Sequence, residues 1–262
     1  MNMKRKISLL SFLLIVLTAC NTTIKKNSTK DSEVTKKATP STTEITPISH
    51  ATAVIEFDNT RIFLDPTGGK EAFSGFENAN YVLITDVHGD HMNLKTLNAL
   101  SLENTIIIAP VAVANQLSEI KPKEIIILNN GDKKSFSNFE VEAIPMYNLR
   151  EEALKFHPKG RGNGYVLTIN NERIYFSGDT EDIPEMRNLK NIDKAFICMN
   201  LPYTMTVESA ADAVLAFEPK EAYPYHYRGT DGLSDVESFK EIIENKNSNI
   251  KVVQLNWYPN RQ

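Results

Sequence analysis

Between residues 51 and 257 the apolar positions come in short runs dominated by β-branched and aromatic residues: "ATAVIEF", "RIFLD", "YVLIT", "TIIIAP", "EIIILN", "FEVEAIPM", "GYVLTI", "RIYFSGD", "KAFICM", "AYPYHY" and "KVVQLNW". Runs of this length, closed off by Gly, Pro, Asn and Asp, predict strands. Four other stretches carry a helical stripe instead: "NLKTLNALS", "VAVANQLSEI", "TVESAADAVLAFE" and "DVESFKEIIEN". In the third, Thr206 and Glu208 stand ahead of "AADAVLAF", a hydroxyl and an acid at a helix start. Strands dominate early, and strand–helix alternation follows Asp86 and again Asn200. That order predicts a layered α/β domain whose sheets are covered by helices.

The first residues break this pattern. "MNMKRKISLLSFLLIVLTAC" has a basic start, an apolar run from Ile7 to Leu17, and small residues before Cys20. The run is too short for a bilayer core of roughly 30 Å at 1.5 Å per residue, so it predicts a secretory signal peptide. Its ending, "LTAC", resembles the bacterial lipobox, which makes Cys20 the expected lipidation site. Acyl chains there would anchor the protein to a membrane of the bacterial cell envelope, at roughly 0.8 kcal/mol per buried CH₂. The following Thr-, Ser- and Lys-rich stretch has too few large apolar residues to offset its ordering entropy and reads as a tether. The expected division is therefore 1–19 signal peptide, 20–48 lipidated Cys20 and tether, and 49–262 folded domain.

Composition narrows the chemistry. Removing residues 1–19 takes away Lys4, Arg5 and Lys6 and no acid, so the formal charge of −4 becomes −7. No basic field remains to favour nucleic acid as a partner. Cys20 and Cys198 are the chain's 2 cysteines, which excludes a disulfide framework. Cys198 lies in an apolar run and reads as a buried thiol.

Against this background "TDVHGDHMN", residues 85–93, stands out. It follows the strand "YVLIT" and precedes the helix "NLKTLNAL", so Asp86, His88, Asp90 and His91 share a strand-to-helix loop. Side-chain alternation sends positions 86 and 88 to one side, and Gly89 offers a sharp turn that swings Asp90 and His91 back towards them. Asp179 in "SGDTED" and His226 in "AYPYHY" also follow strands, and His157 lies in a further loop. Imidazole and carboxylate together are a ligand set for zinc, manganese or iron. His50, at the edge of the tether, reads as an exposed polar residue, and Asp65 in "FLDPTGG" as a turn cap.

"TDVHGDH", then "GDT", then "YPYH" resemble the metallo-β-lactamase-fold hydrolases, whose first motif is His-x-His-x-Asp-His. The resemblance spans about residues 50–258. "PMYN", "KFHPKGRGNGYVL" and "MNLPYTM" are similar to a short-loop branch that includes ascorbate-6-phosphate lactonase and the phospholipase D acting on N-acyl-phosphatidylethanolamine. It implies a four-layer αββα sandwich, a centre of one or two divalent ions, with zinc first and manganese or iron as alternatives, and a metal-dependent hydrolase. Its small-molecule substrate would carry an ester, lactone or phosphodiester; a β-lactam does not follow, because a fold does not fix a substrate.

Carried over by position, His88, Asp90, His91, Asp179 and His226 match metal ligands, with Asp90, His91 and His226 forming one site and Asp179 bridging to the other. Asp90 also matches the residue that handles the attacking water. Asp86 stands where the family has its first His, and Asn148 where it has a third. Three readings of that altered site follow. Asp86 and His157 complete a second ion site; or one ion binds and Asp86 orients His88 or accepts a proton; or the domain is a non-catalytic metal- or ligand-binding lipoprotein. His157 is accordingly a candidate ligand or proton-transfer group. Arg161 and Tyr203 are candidates for gripping the substrate, while Lys159 reads as a solvated charge. Tyr223, Tyr225 and Tyr227, alternating with His226 between them, and Trp257 read as core.

Overall fold

A computed structural model of the chain describes residues 42–259. The expected signal peptide, Cys20 and most of the expected tether lie outside the described residues. Six strands form the first sheet in chain order: β1 (Glu44–Ser49), β2 (Thr52–Phe57), β3 (Thr60–Leu64), β4 (Tyr81–Leu83), β5 (Ile106–Ala109) and β6 (Glu124–Ile127). The first three are antiparallel neighbours and the last four parallel ones. The chain continues with β7 (Lys133–Ser135), β8 (Phe139–Met146), β9 (Gly162–Ile169), β10 (Glu172–Phe176), β11 (Lys194–Ile197) and β12 (Glu221–Pro224). A two-stranded ribbon, β13 (Arg228–Gly229) and β14 (Gly232–Leu233), precedes β15 (Lys251–Val252). The second sheet runs β15-β12-β11-β10-β9-β8-β7.

Strand alternation explains the layers. Ala53, Ile55, Ile62, Leu64, Leu83 and Ile108 of the first sheet face the second sheet in one core. Val54, Phe63, Val82, Ile107 and Ala109 point the other way, into a second core under α1 (Leu94–Ala99) and α2 (Val111–Ala114). Of the remaining helices, α3 (Pro184–Arg187), α4 (Val207–Phe217) and α5 (Val236–Lys246), the last two cover the outer face of the second sheet. Period two thus puts apolar residues on both faces of each sheet, as a sheet covered on both sides requires. The αββα architecture agrees with the expectation.

Local signals set the helix starts. Asn93, Thr206 and Asp235 each accept a backbone N–H three residues on. Among the described residues no helix is long and apolar enough to cross a membrane. Cys198 is fully buried, and burial pushes its thiol up to about 12. Tyr223, Tyr225, Tyr227 and Trp257 are buried as expected. Two expectations change. Residues 44–48, placed in the tether, belong to edge strand β1, which pairs antiparallel with β2, so the folded domain reaches back at least to Glu44. "VAVANQLSEI" yields only one helical turn, Val111–Ala114.

Candidate metal centre at the strand ends

The chemistry-bearing side chains gather at one edge, where β3, β4, β8, β10, β11 and β12 end and β9 begins. Among the bonds that pin the sheets together there, Asn163 N–H donates to Thr85 O at 3.0 Å, and the Tyr165 hydroxyl to Ile84 O at 2.9 Å.

The first sheet supplies the dense loop. After β4, the N–H groups of His91 and Met92 both donate to His88 O, at 3.0 and 2.7 Å, curling the chain so that Asp86, His88, Asp90 and His91 turn inward. Gly89 has no positive φ and no close neighbour, so this turn does not depend on a glycine. Behind it Asp65 is fully buried. Its carboxylate accepts Thr85 N–H at 2.8 Å, Thr85 Oγ1–H at 2.6 Å and His91 Nδ1–H at 2.8 Å. Asp65 is thus more than a turn cap: it fixes the His91 ring and leaves Nε2 facing the site.

The second sheet supplies its residues from four loops: Asn148 and His157 share the one between β8 and β9, and Asp179, Asn200 and His226 follow β10, β11 and β12. Asp179 follows Gly178, whose φ of 62° and close approach to Met146 Sδ leave little room for a side chain. His226, at φ 47°, turns its ring towards His91, with the Asn200 amide 3.1 Å behind its Nδ1. His157 Nδ1–H donates to Tyr203 O at 3.2 Å, beside the Asn148 amide, whose Nδ2 donates to Ala153 O and Tyr203 O.

Beside a group of His50, Asp90 and His226, two ligand groups meet around Asp179. In the first, His91 Nε2 and His226 Nε2 lie 3.0 Å apart, and Asp179 reaches them at 3.3 and 3.2 Å. In the second, His88 Nδ1 lies 2.7 Å and His157 Nε2 3.9 Å from Asp86 Oδ2. Asp179 Oδ2 is also 3.2 Å from His157 Nε2, so this carboxylate stands between the groups. Each set of donor atoms is compact enough for one ion. Two ligands on a tetrahedral zinc, each at 2.0–2.1 Å, stand about 3.3 Å apart, which the His91–His226–Asp179 spacings match. His157 Nε2 and Asp179 Oδ1 are buried without a hydrogen-bond partner, an arrangement a cation would satisfy.

The electrostatics agree. Burial opposes ionisation of Asp179, but His226, His91 and His157 override it and hold the carboxyl well below its ordinary value. Burial likewise opposes a charge on His91, yet Asp179 and Asp65 raise its pKa well above 6.5. Asp86 is held at about 2: burial pushes it up, and His88, His91 and Arg161 more than offset that. The edge carries ionised carboxylates that favour positive charge between them.

A cavity of about 370 Å³ opens onto this edge, lined by His88, Asp90, Phe156, His157, Asp179, Asn200 and Tyr203. Asp90 presents a carboxylate that is 44% exposed. Tyr203, 37% exposed, packs edge-on against Phe156 at 5.1 Å. Arg150 stitches the two walls together, binding Glu181 through Nε at 2.6 Å and the carbonyls of Pro202 and Thr204.

The edge thus brings together Asp86, His88, Asp90, His91, Asn148, His157, Asp179, Tyr203 and His226. Arg161 differs from expectation. Its guanidinium forks onto Asp86, Nε to Oδ1 at 3.0 Å and Nη2 to Oδ2 at 2.9 Å, behind the cavity and not in its lining. A fully buried carboxylate needs such a partner. Lys159 pairs with Glu185 at the surface. His50, expected to be exposed, is half-buried. Its Nε2 lies 3.2 Å from Asp90 Oδ2, its Nδ1 2.8 Å from the Tyr258 hydroxyl, and its ring 3.9 Å from that of His226. The available signal was an imidazole abutting a strand end, as at His226.

A sequence profile of the "Beta-lactamase superfamily domain" matches residues 44–226. A metal-dependent hydrolase of Pyrococcus abyssi is 28% identical over 219 residues, 79% of this chain and 94% of the relative. A solved structure from Parabacteroides distasonis, described as a candidate metal-dependent hydrolase, is 40% identical. It covers 83% of this chain and 94% of its own, with a TM-score of 0.74. A diiron β-hydroxylase of Streptomyces venezuelae shares the fold alone, at 17% identity and a TM-score of 0.62 over 83% of this chain and 54% of its own. Fold, strand-end residues and profile agree: the chain belongs to the metallo-β-lactamase superfamily, among relatives named metal-dependent hydrolases.

Proposed function

We propose that the protein hydrolyses an ester, lactone or phosphodiester in a modest small molecule, using a divalent cation held by His91, Asp179 and His226 beside Asp90. The observation that carries this reading is the convergence of the two imidazole Nε2 atoms on Asp179, with partnerless polar atoms buried around them. A bound cation would supply Lewis acidity, acidifying water and polarising the substrate oxygen. The chain's own residues do the rest. Asp65 and Thr85 hold His91 in one tautomer, a constraint typical of the partners behind metal ligands. Asp90 orients water at the cavity floor and takes its proton. His157, its Nδ1–H spent on Tyr203 O, offers Nε2 to the cavity as a ligand or proton acceptor. Phe156 and Tyr203 wall the cleft. Its volume, about 370 Å³, suits a small substrate. The short-loop branch named above supplies the substrate class, and zinc is the first metal to try.

The test is metal analysis of protein purified without chelator, followed by assay with generic phosphodiester and ester substrates. His91→Ala should lose both metal and turnover, by more than the roughly 10–100-fold that a partner behind the ligands costs. No bound metal between about pH 6 and 8, with zinc, manganese or iron supplied, would sink the reading. We also propose that lipid on Cys20 anchors the protein to the bacterial envelope. Cys20→Ala should then move it from the membrane fraction into the soluble one.

A further inference from the structure

The two ligand groups use the same side-chain types but differ in one neighbour. No hydrogen bond or ion pair described for His91, Asp179 or His226 involves a lysine or arginine. Asp86, the carboxylate of the other group, has both oxygens taken by Arg161, at 3.0 and 2.9 Å. Oδ2 also faces His88 Nδ1 at 2.7 Å. Nor is that guanidinium free to leave: Nη2 also donates to Phe156 O, closing the loop that carries His157. Arginine keeps its charge at every working pH. A cation entering between Asp86, His88 and His157 would share Oδ2 with a fixed positive charge a few ångströms away.

We infer that Arg161 makes the two groups unequal, so that His91, Asp179 and His226 hold one ion tightly while Asp86, His88 and His157 admit a second only weakly. This rests on the metallohydrolase reading above and specifies its metal centre. Arg161 acts through Asp86, so it is a positioning residue for the weaker group and takes no part in contacting substrate.

The experiment is calorimetric titration of the metal-stripped full-length protein with Zn²⁺, paired with metal content after gel filtration. Wild type should keep one zinc per chain and show a second event at least about tenfold weaker. In Arg161→Met the second event should tighten by about tenfold or more while the first stays put. Asp86→Asn removes the carboxylate but leaves the loop bond to Phe156 O. It should abolish the second event and spare the first, which keeps the inference testable if Arg161→Met fails to fold. Two zinc ions of equal affinity in wild type, or an Arg161→Met titration identical to wild type, would overturn the inference and leave the hydrolase reading intact. Absence of the tight ion would overturn the hydrolase reading itself.

Discussion

The two sheets contribute to the centre in different ways. The first delivers Asp86, His88, Asp90 and His91 within one loop, backed by the buried Asp65–Thr85–His91 bonds. The second delivers Asn148 and His157 from the loop between β8 and β9, and Asp179, Asn200 and His226 singly from three further loops. A contiguous loop is positioned by its own turn, and few outside contacts are needed. Scattered residues are positioned only if the strands beneath them keep register with one another and the two sheets keep their spacing. Damage to the first half should therefore act locally on one ligand, and damage to the second half or the seam should act through the fold.

The largest effect expected from a residue that touches no ion is Asp65→Asn. The substitution keeps the shape and an acceptor for Thr85 but removes the charge facing His91 Nδ1. Zinc affinity measured by chelator competition should fall about 10–100-fold. Unchanged affinity would show that the loop's own turn suffices to place His91.

This asymmetry also governs what the sequence made legible. Short apolar runs exposed eleven of the fifteen strands, missing β1, β7 and the β13–β14 ribbon, and the density of ligand types at Asp86–His91 exposed the first half of the centre. Asp179 and His226 were legible through their places after strands. Asp65 and His50 were not read correctly, because their roles depend on long-range neighbours. Asp65 meets His91 across 26 residues, and His50 meets Tyr258 across 208. Nothing local distinguishes such residues from a turn cap or a tether residue. Strand β1 escaped for a related reason: "EITPIS" is polar and Pro-containing, and it becomes a strand by pairing with β2 at the sheet edge. Arg161 read as a candidate grip on the substrate because Asp86, 75 residues away, is its partner only in the fold.

A smaller effect should come from Gly178→Ala, in the second half. At φ 62° a side chain is strained, and its Cβ would lie 2.6 Å from Met146 Sδ and 3.1 Å from Asn163 O. Asp179 follows directly, so relief of the clash shifts that carboxylate. Stability of the metal-free protein should drop by about 1–3 kcal/mol in a denaturant titration. Zinc affinity should fall with it, because the altered backbone carries the ligand. A stability loss with unaltered zinc affinity would show that Asp179 is placed independently of the turn before it.

The smallest expected effect belongs to the seam, where the two kinds of positioning meet. Tyr165→Phe deletes the hydroxyl that donates to Ile84 O at 2.9 Å, one residue before the pinning carbonyl of Thr85, and that accepts a long 3.4 Å bond from Asn163 Nδ2. The ring stays buried and its apolar contacts persist, so the cost should be near that of a single neutral hydrogen bond, about 1 kcal/mol. Asn163 N–H to Thr85 O still holds the sheets, which predicts a cost confined to stability. If zinc affinity drops as much as in Gly178→Ala, the seam rather than the individual turns sets the distance between His91 and His226. The contrast between a self-positioned half and a fold-positioned half would then give way to a centre held by its sheets alone.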